Sequence, residues 1–293
     1  MDKSLPKTSA LLAPAITIIL VFLAIPILTL MTYSFLQPAT YGGIEWIFSL
    51  DAYVQLFFEE DFLTEEWVFN SDYLVIILTS IMLALIATLC CLILGLPTAY
   101  FIATRPPSTR MLWLMAVIVP YCVNLLIRTI SMLFIIRDQG PINSFLIWTG
   151  LIDAPLQIAY TNFAVTLGLF YSYLPFMILP IYVAVERFNF SLLTAANDLY
   201  ASKWASWQYV LLPNLKPGII AGCLLVFIPS LGAFIAPDLL GGGKQLMIGN
   251  LIALQFQGSR NWPFGAALGM VLMAMIFIVL IVFSKRNSQE ARS

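Results

Sequence analysis

Six apolar runs, each about twenty residues or longer, recur along this chain at about 11–33, 73–100, 112–136, 162–185, 217–236 and 264–283. A bilayer's hydrocarbon core is about 30 Å thick and takes about twenty helical residues to cross, so the recurrence predicts an all-α polytopic membrane protein with six transmembrane helices. A composition of 61% hydrophobic and only 10% charged residues fits that class, since a soluble domain carries about a quarter charged residues. The first run is too long for a signal-peptide core and lacks a small-residue cleavage site after it, so it is expected to remain as a span.

The charges between the runs predict orientation. Residues 34–72 carry Glu45, Asp51, Glu59, Glu60, Asp61, Glu65, Glu66 and Asp72 with no Lys or Arg, and are expected outside, with Ser49 or Asp51 capping a short interfacial helix through Tyr53 and Phe57. Lys3, Lys7, Arg105, Arg110, Arg187, Lys203, Lys216, Lys285, Arg286 and Arg292 then fall inside, against Arg137, Lys244 and Arg260 outside. This positive-inside bias places both termini in the cytoplasm. No internal repeat is evident, and one membrane domain over 1–293 is expected. Residues 141–152 are too short to span and predict an interfacial helix; Pro175 and Pro180 permit kinks in the fourth span.

Several chemistries are excluded or disfavoured. The absence of His removes imidazole catalysis and imidazole metal ligation. The four cysteines fit no metal spacing and read as small hydrophobes. Carboxylates sit only in loops or at helix ends, which disfavours a proton- or sodium-coupled carrier. Gly241-Gly242-Gly243-Lys244 lacks the spacing of a phosphate-binding loop and reads as a flexible loop. In the third run Tyr121, Asn124, Arg128 and Ser131 recur at i, i+3, i+7 and i+10 and predict one polar face, which either lines a translocation path or bonds a neighbouring helix. At about 1.5 Å per residue, Arg128 would lie about 24 Å from the inner end, within reach of Asp138, Asp153 or Asp238. Gly265 and Gly269 form a small-xxx-small pair.

The polar stretch Ser191 to Gly218 lies between the fourth and fifth runs. Ser191 is a natural N-cap, and the alanines favour a helix that Pro213 must end. On that helix Ala196, Leu199, Tyr200, Trp204, Trp207, Val210 and Leu211 share one side, suited to a partner or to the membrane surface.

This stretch resembles the "EAA" loop of ATP-binding-cassette importer permeases. The matching positions are Thr194, Ala195, Ala196, Asp198, Leu199, Tyr200, Ala201 and Ser202, then Leu212-Pro213 and Pro217-Gly218. Thr194 stands where the family has Glu, and Tyr200 where it has a Gly at a helix break; either the break is made differently or the helix runs on through Tyr200. NLLIRT at 124–129, LPFMILPIY at 174–182, PGIIAGCLLVFIPSLGAF at 217–234, PDLLGGGKQLMIGNLI at 237–252 and NWPFGAA at 261–267 are similar to the permeases of spermidine/putrescine importers.

The resemblance implies a type I importer permease in the bacterial plasma membrane, with a cytoplasmic coupling helix within about 186–217. It implies a second homologous permease, two cytoplasmic ATPases that bind ATP and Mg, an external substrate-binding protein and a polyamine substrate. No catalytic residue, bound cofactor or nucleic-acid partner is expected of this chain. The acidic outer loop and Tyr121, Tyr171, Tyr173 and Trp262 offer a polycation weak support of their own. The alternatives are an importer of another solute, such as thiamine, ferric iron or an anion, and a self-sufficient carrier.

Overall fold

The computed structural model describes residues 5–60 and 67–290. In chain order the first elements are helix α1 (Leu5–Tyr33), strands β1 (Leu36–Pro38) and β2 (Ile44–Phe48), helix α2 (Asp51–Val54), strands β3 (Phe58–Glu60) and β4 (Trp67–Phe69), and helix α3 (Asp72–Ala103). There follow α4 (Pro107–Tyr121), α5 (Leu125–Ile136), α6 (Pro141–Trp148), α7 (Asn162–Glu186), α8 (Ser191–Asp198) and α9 (Lys203–Ser206). A π-helical turn (Trp207–Leu211) leads into α10 (Leu212–Leu231), and α11 (Ile235–Gly241), α12 (Ile248–Gln257) and α13 (Trp262–Glu290) complete the order. Among the described residues five helices are long and apolar enough to cross a membrane, and a sixth crossing is available as a bent pair. The protein is a multi-pass membrane protein.

Four spans lie where the apolar runs put them. The third does not form one helix: the chain breaks at Cys122–Asn124 and turns by 87° between Pro107–Tyr121 and Leu125–Trp148. The fifth begins earlier than expected, as a continuous helical stretch over Lys203–Leu231, and stops at Leu231 rather than Ala236. The glycine-rich segment after it carries α11 and α12, joined through a turn in which Gly242 and Gly243 have φ of 60° and 71°.

The residues group into two compact units, one of 1–75 with 251–293 and the other of 76–250. In the first, α1 packs along α13, and Tyr33 stacks on Trp262 at 6.3 Å between ring centroids. The acidic segment here forms two short antiparallel hairpins, β1–β2 and β3–β4, which the charge pattern did not suggest. The Ser49 hydroxyl accepts from the Asp51 N–H at 2.9 Å, but the N-cap position falls at Leu50, without a side-chain cap bond, and α2 stops at Val54, short of Phe57. Asp61, Glu65 and Glu66 lie outside the described residues. A Cβ on Gly265 would meet Gln255 and Phe256 at 3.1 Å, whereas one on Gly269 would meet nothing, so the two glycines do not form a shared packing face among the described residues.

In the second unit α7 is the central helix, touched by α4, α5, α10 and α11. Its contact with α10 is close because α10 presents glycines there. A Cβ on Gly218 would stand 2.5 Å from the Ala184 Cβ and 2.9 Å from the Pro180 carbonyl; one on Gly222 would stand 2.8 Å from the Met177 sulfur. Backbones approach this closely only where side chains are missing, the usual device of helix pairs in lipid. Around this seam a core closes on Cys91, Met177, Ile178, Ile181, Leu211, Leu215 and Val226.

Candidate functional site

Two places in the second unit carry polar groups that the surrounding apolar helices do not require. The first is the stretch 191–218. Ser191 does not cap the stretch's opening helix, α8, but is its first residue: the cap position is Phe190, and the Asn189 Oδ1 before it accepts from the Ser191 N–H at 3.1 Å and from the Ser191 hydroxyl at 2.8 Å. The helix then ends in a Schellman motif, with the Ala201 N–H reaching back to the Ala196 carbonyl and the Tyr200 N–H to that of Asn197. Tyr200 takes the left-handed position of that motif at φ 58°. The break is therefore made where the family pattern has glycine, with a residue that is about 1–2 kcal/mol less at ease there.

The next helix starts at once, since the Ser202 Oγ accepts from the Ala205 N–H at 3.1 Å. Pro213 does not end it. The π-helical turn at Trp207–Leu211 widens the backbone ahead of Pro213, and the Asn214 amide donates to the Val210 carbonyl at 2.7 Å. The π-turn supplies what a proline needs in a helix, room for the carbonyl one turn before it.

The expected single apolar side divides at the break. Trp207, Val210 and Leu211 pack into the core with Leu193, whereas Leu199 (81% exposed), Tyr200 (98%) and Trp204 (69%) stand clear. Thr194, Ala195, Asp198 and Ser202 are exposed around them, Ala196 and Ala201 are half-buried, and Gly218 lies in the α7–α10 seam. Contiguous exposed apolar side chains at a helix break, rimmed by polar groups, form the kind of surface another protein covers. Leu212, Pro213 and Pro217 belong to the stem that joins this surface to the span.

The second place is the α4–α5 break. Asn124 caps α5, its Oδ1 accepting from the Leu126 N–H at 2.9 Å. The break dissolves the expected polar stripe: Asn124 and Ser131 are exposed, and the Ser131 hydroxyl donates to the Ile127 carbonyl. Arg128 goes the other way, to 7% exposure, with Tyr121 at the end of α4 and Tyr171 on α7. Its guanidinium carbon is 4.9 Å from the Tyr121 ring centroid and 5.6 Å from that of Tyr171. Among the described residues no carboxylate lies within 4.0 Å of it, and its Nε has no acceptor. The expected partners Asp138, Asp153 and Asp238 are instead all exposed, Asp238 in the first turn of α11. A cavity of about 240 Å³ opens beside the guanidinium, lined also by Thr98, Pro120 and Pro175.

One ion pair that the charge pattern does not mark joins α4 to α7. Arg110 at the start of α4 donates to Glu186 at the end of α7 at 2.8 Å, and the Tyr182 hydroxyl donates to the same carboxylate at 2.9 Å. The signal available was a basic residue following the second span and the one acidic residue closing the fourth. No group of His, Cys, Asp and Glu among the described residues could hold a metal ion.

Comparison with known proteins bears on both places. The family described as "Binding-protein-dependent transport system inner membrane component" matches residues 93–290. The chain is 40% identical over 265 residues to the spermidine/putrescine transport system permease protein PotB of Escherichia coli K12, covering 90% of this chain and 92% of that one. It is 38% identical to the PotB protein of Haemophilus influenzae, covering 91% and 89%. Among solved structures, a bacterial transporter that imports the acidic polysaccharide alginate superimposes with a TM-score of 0.70 at 19% identity, over 97% of this chain and 95% of that one.

Proposed function

Because the chain belongs to the family of binding-protein-dependent transport system inner membrane components, a transport and not a catalytic family, we propose that it is the permease subunit of an ATP-driven importer of polyamines, spermidine and putrescine among them. The observation that carries the substrate class is the 40% identity to the spermidine/putrescine permease protein, which runs over nine-tenths of both chains and so includes spans as well as loops. In this reading the chain forms half of a pore, a second related permease the other half, and two ATPases on the cytoplasmic side supply the energy. An external binding protein delivers the substrate. Both termini face the cytoplasm, in keeping with the distribution of Lys and Arg.

The surface at Thr194–Ser202 is the docking point for one ATPase. Leu199, Tyr200 and Trp204 supply apolar anchors, Asp198 sits at its polar edge, and Gly218 sets the stem, which also carries Pro213 and Pro217, against α7. Tyr121 and Arg128 lie on the path through the bilayer, with Asn124, Ser131 and Asp238 toward surfaces that the second permease or the binding protein would meet. The test is ATP-dependent uptake of labelled spermidine and putrescine into cells lacking their own polyamine importers, with the full set of partners expressed. Uptake that vanishes when this chain alone is omitted supports the reading. An assembled, ATP-hydrolysing complex that takes up neither amine overturns the substrate while leaving the importer architecture.

A further inference from the structure

The Arg128 site presents a contradiction for a protein that passes polycations, because its own buried cation stands where a cation would be welcome. Two tyrosine faces converge on one point, and such faces attract ammonium and guanidinium groups more strongly as water is removed. Arginine cannot shed its charge to relieve burial. It holds these ring faces at 4.9 and 5.6 Å with its Nε donor unsatisfied and with no neutralising carboxylate among the described residues. A buried donor without an acceptor is costly. The pose is thus attractive enough to be occupied and poor enough to be surrendered. The backbone permits surrender, since Tyr121 belongs to α4 and Arg128 to α5, with the three-residue break Cys122–Asn124 between them.

We infer that Tyr121 and Tyr171 form a subsite for an organic ammonium group, and that Arg128 is its tethered occupant, displaced by the substrate during transport. The inference rests on the polyamine reading above and adds to it a filter. With the site filled by the chain's own cation, a small monovalent amine must evict a charge using one of its own, whereas a polyamine brings two or more and can hold another contact while it does so. The roughly 240 Å³ cavity beside the guanidinium gives the incoming group its approach.

The experiment uses the complete complex, with its partner permease, ATPases and binding protein, in cells lacking polyamine importers. Substrate is labelled putrescine, and methylammonium is the competitor. Arg128→Gln is expected to lower the KM for putrescine at least threefold and to let methylammonium compete at concentrations that leave wild type untouched; Arg128→Lys should keep the wild-type selectivity. Tyr171→Leu should raise the KM at least fivefold, and Tyr171→Phe, which keeps the ring face, should return it toward wild type. An unchanged or raised KM in an assembled Arg128→Gln complex overturns the inference. Should that variant not assemble, equal KM values for Tyr171→Leu and Tyr171→Phe overturn it instead. Wild type that hydrolyses ATP but moves no polyamine sinks the substrate reading itself, and this inference with it; wild type that transports while the variants behave alike sinks the inference only.

Discussion

Two of the breaks between the chain's helices share one economy and give opposite results. At Cys122–Asn124 an apolar helix is cut and restarted by an asparagine cap, and the charge that follows is turned inward, to 7% exposure. At Leu199–Ser202 the cut is made by a Schellman turn and restarted by a serine cap, and the side chains at the corner are turned outward, Tyr200 to 98% exposure. Neither break uses glycine. In each a side-chain oxygen accepts an N–H of the new first turn, so the position of the cap, and not the flexibility of the backbone, fixes the corner. The surroundings then decide what a corner is for: inside a span it encloses a group, and on an exposed loop it presents one.

The comparison can be broken most sharply at Asp198, beside the outward corner. Asp198→Lys should cut ATP-driven uptake at least tenfold while insertion and expression stay at wild-type levels, because a cation at the end of α8 suits the helix dipole and only the partner contact suffers. Uptake that survives the change would move the partner's docking point elsewhere. Next in size is Asn124→Ala. Within a span no water replaces the lost acceptor, so the detergent-solubilised protein should lose about 1–3 kcal/mol, read as an earlier thermal unfolding transition.

Tyr200→Gly should act in the reverse direction. Relief of the left-handed angle should stabilise the purified chain by about 1 kcal/mol, yet weaken ATPase association in a pull-down titration, since the exposed ring is lost. A variant that binds the ATPase as well as wild type would make Tyr200 a tolerated strain and no anchor. Smallest is Ser202→Ala, expected to cost about 0.5–1 kcal/mol because solvent can serve the freed Ala205 N–H. If it cost as much as Asn124→Ala, the difference in environment between the two corners would be discredited.

Spans were legible because each rests on one dominant quantity, a run of apolar residues as long as the bilayer is thick; α3, α7 and α13 begin within two residues of where those runs begin. The corners were not, because there weak terms compete. Asn124 is as good a cap as any in the chain, but the i, i+3, i+7 spacing of Tyr121, Asn124 and Arg128 argued for continuity, and periodicity cannot register a break that falls between two of its own members. Tyr200 was visible as a departure from a family pattern, but only the structure shows that the turn survives and the residue bears the angle. Pro213 misled for a different reason: a proline stops a regular helix, and the π-turn before it is a tertiary accommodation supported by Trp207 and Leu211 in the core. Arg128 reads as a pathway residue from its place in a span, while its tyrosine partners come from two other elements, α4 and α7, whose meeting with α5 no local pattern encodes.

That π-turn also bears on how motion travels. Because it lets the backbone pass Pro213 without a joint, the stretch Lys203–Leu231 is a single strut of 29 residues, about 43 Å at 1.5 Å per residue. One end carries Trp204 in the open, and the middle is clasped by α7 at Gly218 and Gly222. Pro217 and Pro229 also lie in this strut, so a push of a few ångströms on the exposed end is transmitted only as far as these prolines resist bending. What passes the clasp reappears beyond it reversed in direction, as a seesaw carries one seat up when the other goes down.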